Sequence, residues 1–69
     1  MHEAHSYNGP FWVRLWYESE DRWTHTGTQD RFNLMNHAIQ SAQNHATMRP
    51  ALRYCVMDGK GNIIWSHGV

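Results

Sequence analysis

Six histidines in 69 residues are the first side chains here that could do chemistry, and two of them open the chain in "MHEAHSY". Zinc peptidases carry H-E-x-x-H on a helix, which sets two imidazoles one turn apart on one face with a glutamate beside them. His2, Glu3 and His5 miss that spacing by one residue, and Ser6, Asn8, Gly9 and Pro10 follow at once. A catalytic zinc needs three fixed ligands and a dry, shaped pocket, which a polar segment of this kind does not supply. His37 and His45 lie eight residues apart, about 12 Å along a helix axis, too far to share one ion. His25 and His67 fall near strand ends, where only the fold decides whether they converge. The histidines therefore read as solvated polar groups. No metal site is expected.

Other reactive groups give no catalytic set. The lone cysteine, Cys55, falls mid-strand among alternating residues, where a packed thiol is expected rather than an activated one. Ser66 and His67 are adjacent, so on a strand they point to opposite faces and form no dyad. Asp58-Gly59-Lys60-Gly61-Asn62 starts like a calcium loop, but Lys60 takes a ligand position and Ile63 the position that requires glycine. It reads as a turn. Glu18, Glu20 and Asp21 cluster at a hairpin tip, where acids are solvated. No catalytic residue, metal or cofactor is expected, and so no enzyme.

Bulk composition narrows the rest. Sixty-nine residues allow one domain, near the lower size limit for folding without disulfides or metal. A single cysteine and the lack of an apolar signal or membrane segment predict a cytoplasmic protein. Six basic residues, five of them arginine, balance six acidic ones. A neutral chain is a poor non-specific nucleic-acid binder, because that affinity comes from neutralising phosphates.

Residues 1–10 show no apolar pattern and read as a flexible arm, with residues 11–69 as one small domain. Phe11, Val13, Leu15 and Tyr17 alternate with Trp12, Arg14, Trp16 and Glu18, a period of two that predicts a strand. Arg22–Thr26 predicts a second strand and a hairpin. Thr28 or Asp30 is the expected N-cap of a helix whose apolar stripe runs Phe32, Met35, Ala38 or Ile39, Ala42, Ala46. Pro50 ends it. Leu52–Met57 and Asn62–Ser66 alternate again around the glycine-containing turn. The result is an α+β fold, ββαββ, a four-stranded mainly antiparallel sheet with one helix on one face. Phe11, Val13, Leu15, Tyr17, Leu52, Tyr54, Val56, Ile63 and Trp65 are expected to meet the helix in one core.

Two features carry functional content. One helix covers one side of a sheet, which leaves Trp12, Arg14, Trp16, Arg53, Cys55, Met57 and Ile64 on the other side. Aromatics with arginine are the composition of protein-interface hot spots. Trp12, Arg14, Trp16 and Arg53 are the expected partner-binding residues, with a second copy of the chain among the candidate partners. The helix "FNLMNHAIQSAQNHATM" carries no fixed charge, and its amides desolvate more cheaply than ions would. The alternative use of the tryptophan and arginine face is stacking of single-stranded nucleic acid.

In layout, with "FWVRLWYES", "NHAIQSAQ" and "RYCVMDGKGNIIW" as its carriers, residues 11–66 resemble small phage- and mobile-element-encoded inhibitors, anti-CRISPR proteins among them. The resemblance implies a β/α domain without catalytic machinery that occludes a surface of a host protein. Many of that group are strongly acidic DNA mimics. This chain is neutral, so the mechanism implied is steric blockade.

Overall fold

The computed structural model describes residues 9–27 and 29–68, so the expected arm lies outside it except for Gly9 and Pro10. The elements run β1 (Phe11–Tyr17), a 3-10 turn (Glu18–Glu20), β2 (Arg22–His25), β3 (Arg31–Phe32), α1 (Met35–Met48), β4 (Tyr54–Met57) and β5 (Ile63–His67). All strand pairings are antiparallel and the order is β2-β1-β4-β5, with β3 also on β1. This is the expected α+β arrangement with one added strand.

β1 is the centre of the sheet. β4 pairs along one side of it, while β2 takes the C-terminal half of the other side and β3 the N-terminal half. Between β2 and β3 the Val13 N–H donates to the Asp30 carbonyl at 2.8 Å. Buried backbone donors must find acceptors, and this explains why Asp30–Phe32 is drawn out along β1 instead of starting a helix. Phe32 is therefore a strand residue packed against the core.

The helix begins later than its sequence suggests, with Leu34 as N-cap and no side-chain cap. Of the expected caps, Asp30 is committed to β1 instead, and Thr28 lies outside the described residues. The helix ends as expected before Pro50, where the Arg49 N–H donates to the His45 carbonyl at 2.9 Å.

Ala38, Ala42 and Ala46, one turn apart, are the buried side of α1. Small side chains let the helix lie close to Phe11, Val13 and Val56, with Phe32, Ile39, Ile64 and Trp65 packed around that cluster. Full burial of a valine or phenylalanine contributes about 1.5–3 kcal/mol. The core is smaller than the sequence suggests. Tyr17 is 43% exposed, Leu52 36% and Ile63 46%. Tyr17 stands at the sheet's end beside the Arg22 guanidinium at 5.8 Å. Leu52 belongs to the turn after α1, its N–H donating to the Arg49 carbonyl at 3.1 Å. Leu15 is half-buried.

The β4–β5 turn is held by Asp58. Its Oδ1 accepts the backbone N–H groups of Lys60 at 2.8 Å and Asn62 at 2.9 Å, and its Oδ2 accepts the Asn62 amide at 3.2 Å. Gly61 sits at φ 85°, where a side chain would be strained. The register slips between Val56 and Met57, which pair with Trp65 and Ile63. Ile64 is the extra residue of that bulge and packs against the core, not on the opposite face as strict alternation predicts.

Candidate functional site: the uncovered sheet face

The helix packs on β1, β3 and β4 from one side, and no helix or strand among the described residues lies over the other. Cross-strand partners share a face, so the register lists what stands there. One row is Arg31, Trp12 and Met57; the next is His25, Arg14, Cys55 and Ser66. Trp23 stands opposite Trp16. The Trp16 N–H donates to the Arg53 carbonyl at 2.9 Å, which extends the ladder one step and sets Arg53 on its other side. Trp12, Arg14, Trp16 and Arg53 thus share a face as expected.

The structure changes how those residues are displayed. Trp12 and Trp16 are half-buried, not exposed. The guanidinium of Arg14 lies 4.9 Å from the centroid of the Trp12 ring and that of Arg31 lies 5.7 Å from it. Such contacts contribute about 0.5–1 kcal/mol each where solvent reaches them. Trp16 meets Trp23 edge to face at 5.2 Å and 74°. Its Nε1 is buried and has no hydrogen-bond partner among the described residues. Arg14 is further held by Asp30, with Nη1 to Oδ2 at 3.2 Å. Arg31 and Arg53 are exposed.

Cys55 is fully buried at the centre of this face. Burial pushes its thiol up to about 12, with the nearby Arg14 cation pulling weakly the other way. It is a packed neutral thiol, not a nucleophile. In the β4–β5 turn, the Asn62 N–H above all, then the Lys60 N–H, the Asn62 side chain and the Lys60 charge hold the Asp58 carboxyl below its ordinary value against a partial desolvation that acts in the opposite sense.

The described histidines in or beside the sheet and helix have separate surroundings. His45 stacks on Tyr54 at 5.5 Å, His67 Nε2 lies 2.9 Å from the Pro50 carbonyl, and His25 stands beside Arg14 at the sheet's margin. No three metal-ligating side chains meet among the described residues, and His2 and His5 lie outside them. The clefts beside α1 are shallow. One of them, about 320 Å³, is lined by Leu15, Thr26, His45, Met48, Arg49 and Tyr54, with no carboxylate or thiol. No helix among the described residues is long and apolar enough to cross a membrane.

Sequence reasoning did not find Arg31, Trp23 and Asp30. Trp23 was within reach, since the Tyr17–Arg22 closure of the hairpin fixes its position opposite Trp16. Arg31 and Asp30 were not, because their assignment to a helix start hid a two-residue strand. No protein-family model, curated protein or solved structure matches the chain.

Proposed function

We propose that the chain is a small, non-catalytic, cytoplasmic protein-binding module whose uncovered sheet face docks a partner protein. The observation that carries this reading is the composition of that face: Trp12 flanked by Arg14 and Arg31, with Trp16, Trp23 and Arg53 beside it and no helix or strand among the described residues over them. Pre-packed aromatic rings lose little side-chain entropy on binding, and guanidiniums at their rim select a partner with carboxylates or carbonyls. A neutral domain with no nucleophile–base pair on this face acts by covering a surface. In the form implied by its layout resemblance, the covered surface belongs to a host enzyme such as a CRISPR-Cas protein, blocked sterically by a phage-type inhibitor.

Single-stranded nucleic acid is the competing ligand, and the geometry favours it less. Stacking a base needs a free ring face. Arginines lie over Trp12, and Trp16 is engaged with Trp23. The two β1 tryptophans stand four residues apart, about 13 Å at the usual strand rise, which does not suit consecutive bases.

Site-specific photo-crosslinking tests the reading. A photoreactive residue at Arg53 is expected to trap one protein of defined mass in cells, and one at Gln43 on the helix is expected not to. A nuclease-sensitive adduct, or the same adducts from both positions, would overturn it.

A further inference from the structure

The two edges of the sheet are built differently. The β2 edge carries Arg22, which pairs with Glu20 at 2.6 Å, and joins β1 through the charged tip Glu18–Asp21. The β5 edge, Ile63–His67, contains no fixed charge and no proline, and no strand pairs with its outer side among the described residues. Natural edge strands are normally blunted by lysine, proline, a bulge or a covering element, because unpaired N–H and C=O groups recruit further strands. Here the bulge touches only the Ile63–Ile64 end, and the main packing of α1 is on β1, β3 and β4, with Ile64 and Trp65 of β5 reaching the same core from the side.

Ladder parity shows which backbone groups are unpaired. In antiparallel pairs, successive residues point their hydrogen-bonding groups to opposite sides. The Trp16 N–H bonds the Arg53 carbonyl, while the Val13 N–H turns the other way to Asp30. Arg53, Cys55 and Met57 therefore bond toward β1, and Tyr54 and Val56 toward β5. Their partners His67 and Trp65 bond inward, and Ser66 between them turns its N–H and C=O out of the sheet.

We infer that β5 pairs with β5 of a second copy, antiparallel about a two-fold axis at Ser66, making one continuous sheet from two. Each Ser66 N–H donates to the other copy's Ser66 carbonyl. Trp65 of each copy then lies opposite His67 of the other, on the helix side, in the close-set pairs whose Cα atoms are about 4.5 Å apart. The choice of a second copy rests on charge. Self-pairing of an uncharged edge brings no like charges together, and the edge offers no ionic group by which a foreign strand would be selected. Beside β5, an open groove of about 430 Å³ is walled by Gln40, Gln43, Asn44 and Thr47 of α1, also uncharged, with Trp65 and His67 along its other side. The Ser66 side chain borders the tryptophan and arginine face, but the pairing uses backbone groups at the sheet edge, and the inference does not depend on that face binding anything.

Sedimentation equilibrium across a concentration series tests it. The mass is expected to rise from the 8.2 kDa chain toward twice that value as concentration approaches ~1 mM. Ser66→Pro removes the outward N–H and leaves the ladder bonds to β4, which use Trp65 and His67, in place; it is expected to hold the protein monomeric with its helical circular dichroism retained. Arg53→Glu is expected to dimerise like the wild type. A wild type that stays monomeric to ~1 mM, or a folded Ser66→Pro that still dimerises, would overturn the inference. Should Ser66→Pro not fold, exchange of the Ser66 amide in the wild type decides. Protection that grows with concentration supports the pairing, and an open-chain rate at every concentration refutes it.

Discussion

At the scale of single residues, the sequence is best read where a side chain's chemistry is local. Asp58 shows this. The sequence marks the stretch as a glycine-containing turn, and the structure adds that Asp58 closes it by accepting two backbone N–H groups and the Asn62 side-chain amide. Its folded-state pKa lies below the ordinary 3.8, so its stabilisation is complete above that value and is lost as pH falls through the lower folded-state value. Asp58→Ala is accordingly expected to lower the melting temperature at neutral pH, with the gap to wild type closing as pH drops below 3.8. A gap independent of pH would contradict the assignment. Cys55 gives the complementary case, since alternation placed it on a strand but could not show its complete burial. With the thiol pushed to about 12, it is expected to resist a thiol-disulfide reagent at pH 8 in the folded protein and react only on unfolding. Rapid labelling without unfolding would mean an accessible thiolate.

Element by element, period-two alternation and the proline stop were legible, and the start of the helix was not. β1, β4 and the end of α1 lie close to where the pattern puts them. The pattern of Thr28 and Asp30 ahead of an apolar stripe is a sound capping signal, but the unpaired edge of β1 competes for the same segment and wins. That leaves α1 with an uncapped N-terminus at Leu34, which is 53% exposed, and no acid in its first turn. Leu34→Asp is expected to raise unfolding free energy by about 1 kcal/mol by supplying both cap and charge. Denaturant titration checks it, and an unchanged or lower midpoint would contradict the cap assignment. Val13 tests the core in the opposite direction. Fully buried against Ala38 and Ala42, it is expected to cost about 2 kcal/mol when truncated to alanine, with little relaxation available in so small a core.

For the whole molecule, zero net charge conceals an uneven distribution. Arg14, Arg31 and Arg53 stand on the uncovered face with Asp30 as the paired acid, while Glu18, Glu20 and Asp21 gather at the hairpin tip and Asp58 in the opposite turn. Composition alone cannot show this, because it takes the strand register to bring residues 14, 31 and 53 together. The same register gives Trp12 and Trp16 their half-buried setting, which alternation read as exposure. Docking through such a face is expected to weaken as salt rises, chiefly through a slower association rate. The most direct measurement of the central claim is calorimetric binding to the protein trapped through position 53. Arg53→Glu changes an exposed side chain, and Trp12→Ala removes the aromatic anchor between two guanidiniums. Each is expected to weaken binding by about 2 kcal/mol, roughly thirtyfold, while Gln43→Ala on the helix leaves it unchanged. Wild-type affinity in the folded Arg53→Glu and Trp12→Ala variants would contradict the account.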